Sequence, residues 1–304
     1  MKRVINAALF GLASQLAPAM AAPPANAETV WIPLAGANPA TPPVKLEATL
    51  YRPEGGGRAP VVVFNHGSSG GPIPANYTEK APGLATFLNA RGIALLVPMR
   101  SGRGQSEGVN NEEPSACTVS AARARMATAT AALDASLAYL RSQPWADMGK
   151  LALAGHSRGG LLAAAYATEH PGVVRGAINF SGGWKDDRCA DPDINVALFE
   201  QAGRGAGTPA IFLYAHGDGF YADSSIEKYA QAYTGAGGKA TFRFYQLSDV
   251  NGHLLFRRAQ RLWEAYVEAF LRETGMLTAP AAPAAPVVPA APVAPTAAST
   301  TPKP

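Results

Sequence analysis

The chain has 304 residues, 47% of them hydrophobic, so a full core can form and global disorder is excluded. Its formal net charge of +4 overstates its basicity, because Lys2, Arg3 and Lys303 lie in the two ends and no acidic residue does. The remainder is within one charge of neutral, which argues against nucleic acid or an anionic membrane as partner, and no later stretch approaches the roughly 18 apolar residues of an integral membrane span.

In chain order, Met1-Lys2-Arg3 is a short basic start, followed by an apolar run from Val4 to Ala13. Ala19-Met20-Ala21 then offers a small-x-small cleavage pattern, and Ala25-Asn26-Ala27 offers a second. Residues 1–21 therefore read as a signal peptide, with cleavage as late as residue 27. A single Lys-Arg pair is not a twin-arginine signal, so the expectation is Sec export of a secreted or periplasmic protein. Residues 28–276 follow as one domain of roughly 250 residues.

Within that domain, 45–52 alternates apolar and polar residues in the manner of an antiparallel edge strand. Short apolar runs at 61–64, 93–98, 151–154, 173–180, 211–214 and 240–247 predict buried strands. Helical patterns lie at 84–90, 119–141, 160–168, 226–233 and 257–272. Buried strands alternating with helices predict an α/β fold with a mostly parallel central sheet covered on both faces, and chemistry at the carboxyl ends of its strands. Residues 277–304 are mostly Ala, Pro and Val. Pro280, Pro283, Pro286, Pro289, Pro292 and Pro295 recur every third residue, the period of polyproline II, and the segment reads as a disordered tail.

The G-x-S-x-G pattern occurs twice, at Gly104–Gly108 and at Gly155–Gly159. Ser157 follows an apolar strand and opens an Ala/Leu-rich helix, the context of a nucleophile elbow; Ser106 lies in polar loop sequence and reads as a turn residue. A serine nucleophile needs a base, and donors where negative charge develops. The loop Asn65-His66-Gly67-Ser68-Ser69-Gly70-Gly71 follows a strand and is expected to supply one donor at the Ser68 amide, with the Arg158 amide as the other. The order Ser, acid, His then selects His253, in Asn251-Gly252-His253, as base. Asp218, in Tyr214-Ala215-His216-Gly217-Asp218, is the first choice of acid; Asp223 is the reserve and Asp249 a third possibility close to His253. His216 stands too near Asp218 for the usual order. No H-x-H or H-E-x-x-H spacing suggests a metal.

At these residues the chain resembles the α/β-hydrolase superfamily, and within it dienelactone hydrolase-like proteins, over about residues 28–276. The likeness rests on His66-Gly67, Gly155–Gly159, the Asp218 loop and Gly252-His253. Pro98 to Ser106 also resembles the Arg/Gly-rich loop that follows the fourth strand in many members. Dienelactone hydrolases proper use a cysteine nucleophile where this chain has Ser157. The resemblance implies hydrolysis of small ester substrates by a serine enzyme without metal or cofactor. A serine peptidase on the same fold and a non-enzymatic binding protein on a hydrolase scaffold are the alternatives.

Cys117 and Cys189 each lie in a loop leaving a predicted strand, and in an exported protein they are expected to form a disulfide, worth at most about 4 kcal/mol. Tyr77, Trp184, Phe220 and Tyr221 sit in or beside the same set of loops and are candidates for a substrate pocket.

Overall fold

The computed structural model describes residues 26–36, 41–68, 74–113, 116–185, 189, 193–205, 207–248 and 250–277. The signal peptide expected at residues 1–21, residues 278–304 of the expected tail, and Asp249 lie outside them.

Eight strands form one sheet: β1 (Ala27–Leu34), β2 (Val44–Tyr51), β3 (Ala59–Asn65), β4 (Ala94–Pro98), β5 (Ala146–His156), β6 (Ala177–Phe180), β7 (Ala210–Ala215) and β8 (Ala240–Tyr245). Their order is β1-β2-β4-β3-β5-β6-β7-β8. The β1–β2 and β2–β4 pairs are antiparallel and the rest are parallel. The helices are α1 (Pro82–Asn89), α2 (Val119–Arg141), α3 (Arg158–Glu169), α4 (Asp193–Gly203), α5 (Asp223–Gly235), α6 (Leu255–Arg258) and α7 (Gln260–Glu273).

The strand period of two explains why the sheet is covered twice. Val61, Val63, Leu151 and Leu153 point to the side packed by α2, α3, α4 and α5, whereas Val62, Phe64, Ala152 and Ala154 point to the side packed by α1, α6 and α7. Strands apolar on both faces need helices on both faces. The segment at 45–52 is not the sheet edge: β1 pairs along all of β2, and β2 is buried from Leu46 onward. Two other elements go beyond the sequence reading, since β1 and α4 were not foreseen and the strand expected at 173–180 is ordered only from Ala177.

Candidate active site

Ser157 stands between β5 and α3 with φ 56° and ψ −125°, a left-handed value unusual for a side chain larger than glycine. The neighbouring glycines permit the turn. A Cβ on Gly155 would overlap the Gly159 carbonyl, and a Cβ on Gly159 would overlap the Asn65 and His66 carbonyls. The Ser157 N–H donates to the Phe180 carbonyl at 3.0 Å, tying the elbow to β6. Arg158 opens α3, so its N–H is among the first four of the helix and has no intrahelical acceptor. The loop after β3 comes in from the other side: a Cβ placed on Gly67 would stand 3.1 Å from the Ser157 Cβ, with Ser68 next in line.

Asp218 follows β7, and His253 lies in the turn Gly252–Leu254 after β8. His253 Nδ1 and Asp218 Oδ2 are 2.9 Å apart, and both side chains are buried. The second oxygen of the acid, Oδ1, accepts from the Phe220 N–H at 2.7 Å and the Tyr221 N–H at 3.1 Å. Such a carboxylate is held by its own turn. The reserve acid, Asp223, instead pairs with His216 at 2.8 Å on the exposed surface.

Two residues that sequence reasoning did not assign hold this pair in place. Asn251 Oδ1 accepts from the His253 N–H at 2.9 Å and the Gly219 N–H at 2.9 Å, joining the His253 loop to the Asp218 loop. The Asn-x-His spacing of a turn cap is the signal that was there to be read. His156 Nε2 lies 2.9 Å from the His253 carbonyl, and since a carbonyl only accepts, Nε2 carries the proton. Burial, with the nearby His253 adding to it, lowers the His156 pKa to about 3, so the ring is neutral at ordinary pH. The His156 and His253 ring centroids are 4.8 Å apart, which puts His253 beside the residue preceding Ser157.

A charged cluster backs the loop after β3. Arg100 donates to the His66 carbonyl at 2.8 Å and the Gly67 carbonyl at 3.1 Å, and pairs with the buried Glu112. Burial pushes the Glu112 carboxyl up, but Arg100 outweighs it and holds the group at about 2. His66 is lowered to about 3 by burial and by Arg100. Its Nε2 accepts from the Arg100 backbone N–H at 3.1 Å.

Among the aromatic candidates, Tyr221 is buried and its hydroxyl faces Ser157; burial and Asp218 raise its pKa well above the usual range, so it stays a neutral phenol. Phe220 is 46% exposed, with its ring centroid 4.4 Å from that of His253. Trp184 is buried, 5.3 Å from the Arg158 guanidinium carbon. Tyr77 is exposed, and Arg257, in the segment after His253, donates to its hydroxyl at 3.3 Å. Cys117 and Cys189 form a disulfide, with Cα atoms 5.3 Å apart. Ser106 is occupied by backbone: its hydroxyl donates to the Met99 carbonyl at 2.8 Å and accepts from the Glu47 N–H at 2.9 Å. Among the described residues, no group of three or more His, Cys, Asp or Glu side chains is placed to hold a metal, and no helix is long and apolar enough to cross a membrane.

The family model of the dienelactone hydrolase family matches residues 46–270. No curated protein is significantly similar in sequence. Similar solved structures include Est1E of Butyrivibrio proteoclasticus with ferulic acid bound (16% identity, TM-score 0.60, 81% of this chain and 98% of that one). The Pyrococcus furiosus esterase Pf2001 is similar at 14% identity and TM-score 0.59, over 82% of this chain and 91% of that one. Est2, a thermophilic esterase of Thermogutta terrifontis with propionate bound, is similar at 18% identity and TM-score 0.55, over 84% and 97%. These likenesses establish the α/β-hydrolase fold. The chain belongs to the dienelactone hydrolase family and is a hydrolase acting on ester bonds.

Proposed function

We propose that the protein is an exported serine hydrolase that cleaves small carboxylic esters through Ser157, His253 and Asp218. The observation that carries this reading is the buried Asp218–His253 contact at 2.9 Å, on loops that reach the elbow bearing Ser157. In the proposed cycle, Ser157 Oγ attacks the ester carbonyl while His253 Nε2 takes its proton. Asp218, on Nδ1, keeps the imidazole in the correct tautomer and stabilises its cation. The Ser68 and Arg158 amides receive the developing oxyanion. His253 then returns the proton to the departing alkoxide, and the acyl group stays on Ser157. A water molecule, deprotonated by His253, hydrolyses that acyl-enzyme and frees the serine.

The acyl or alcohol group would lie along Phe220, Tyr221 and Trp184. Est1E was solved with ferulic acid, and the aromatic wall here makes aromatic esters a reasonable first panel. Export is supported by the N-terminal pattern and is compatible with the disulfide.

The test is covalent trapping. A fluorophosphonate probe should inactivate hydrolysis of p-nitrophenyl acetate and be found by peptide mass mapping on Ser157, with a chelator leaving the rate unchanged. Label on another residue, or activity that persists after full labelling, rejects the mechanism. N-terminal sequencing of the extracytoplasmic protein tests export, with a start at residue 22 to 28 expected.

A further inference from the structure

The Arg158 guanidinium is 3% exposed, and its three close hydrogen bonds come from only two loops. Nη1 and Nη2 grip the Glu113 carboxylate at 2.8 and 3.0 Å, and Nη2 also donates to the Lys185 carbonyl at 2.7 Å. Trp184 covers the guanidinium from one side, and its backbone is fixed to α4, the main-chain N–H donating to Asn195 Oδ1 at 2.6 Å. Glu113 lies four residues before Cys117, and Lys185 lies four residues before Cys189. The disulfide therefore joins the same two loops that the arginine joins, at the same offset from each of its partners.

The energetics show why both links are needed. The Glu113 side chain is 43% exposed, so water competes for it, and an ion pair of that kind gains too little to order two loops by itself. A covalent bridge restricts the loops in advance. The ion pair then forms without a further ordering cost, and it pairs both terminal nitrogens of the guanidinium, leaving the buried Nε as the one nitrogen without a partner among the described residues. Burial lowers the Arg158 pKa, but the Glu113 hydrogen bonds and charge more than reverse this, so the side chain stays a cation in its site.

We propose that Arg158 is a positioning residue as well as an amide donor: its guanidinium is the anchor for the two loops beside the oxyanion site, and the Cys117–Cys189 bridge keeps that anchor's partners in place. The proposal rests on the reading of Ser157 as nucleophile and the Arg158 amide as oxyanion donor. If the partners drift, the buried cation follows them and turns the peptide that joins Ser157 to Arg158. The loss then falls on the transition state and not on the binding of a small ester, so kcat drops while KM for p-nitrophenyl acetate stays nearly constant.

A double-mutant cycle on the full chain tests this. Glu113→Gln alone, and Cys117→Ser with Cys189→Ser, should each lower kcat roughly tenfold. All three changes together should again give roughly tenfold, because both act through one anchor. A combined loss near a hundredfold, a bridge-free enzyme with unchanged kcat, or losses confined to KM would overturn the proposal. Should the bridge-free protein fail to fold, Glu113→Gln carries the test, and unchanged kcat there overturns it. Ser157→Ala in the same series separates the two levels. Surviving activity removes the underlying reading, whereas abolished activity beside a fully active bridge-free enzyme removes only the anchor.

Discussion

Gly104–Gly108 and Gly155–Gly159 share one sequence pattern and serve opposite ends. In the first, Gly104 and Gly108 take positive φ, and the serine hydroxyl is spent on the backbone of β2 and of the segment after β4. In the second the serine itself takes the positive φ, while its glycines clear room for carbonyls. Backbone strain on the serine and close approach of the main chain around it set the second copy apart; glycines alone do not.

The largest expected difference between the two lies in turnover. Ser157→Ala should lower kcat by at least 10⁴-fold, whereas Ser106→Ala should leave kcat and KM near those of the parent. Ester assays at matched folded concentration decide it, and a comparable loss in both variants would erase the distinction. The two acids offer the same contrast at a similar scale. Asp218→Asn should cost about 10⁴-fold by presenting the wrong tautomer of His253. Asp223→Asn removes only the exposed pair with His216, and its kinetics should scarcely change.

Smaller effects appear in stability. His66 and His156 have pKa values lowered to about 3 in the folded protein, against about 6.5 when unfolded. Between those values the unfolded chain binds more protons, so stability falls on acidification, by on the order of 1 kcal/mol per pH unit for each ring. Glu112 acts in the same direction, from its unfolded value near pH 4.5 down to about pH 2. Denaturant melts from pH 7 to pH 4 should show the slope, and His156→Gln should reduce it; a flat profile would show that the folded rings bind protons as readily as the unfolded ones. The smallest change belongs to Ser106→Ala, with a loss of roughly 1–2 kcal/mol as the Glu47 N–H is left unpaired.

Much of this organisation was legible in the chain because short-range chemistry controls it. The bounds of α2 could be read because Thr118 accepts from the Ala121 N–H and caps the helix. Apolar runs bounded by turns betrayed β3, β4, β5 and β7. The strand β1 was missed because it begins at Ala27, inside the second small-x-small pattern, and the alternation in Thr29-Val30-Trp31-Ile32 is too short to stand apart from it. Helix α4 was missed because it follows directly on the polar, charged stretch Lys185 to Asp191, which reads as loop. The arginine cluster was opaque for a different reason. Arg100, Arg103, Glu112 and Glu113 share one stretch of chain, but their partners Arg158 and His66 come from distant segments, and no local pattern announces a meeting arranged by the sheet.

The turn from Asp218 to Tyr221 has a practical consequence. Because the carboxylate is steadied by main-chain donors of positions 220 and 221, the side chain at 220 can be exchanged without loosening it. Exchanging that ring therefore tests its proposed place along the substrate while keeping the carboxylate fixed, and what the exchange removes is its packing on His253. Proline at either position is the substitution to avoid, since it would delete a donor and release the acid.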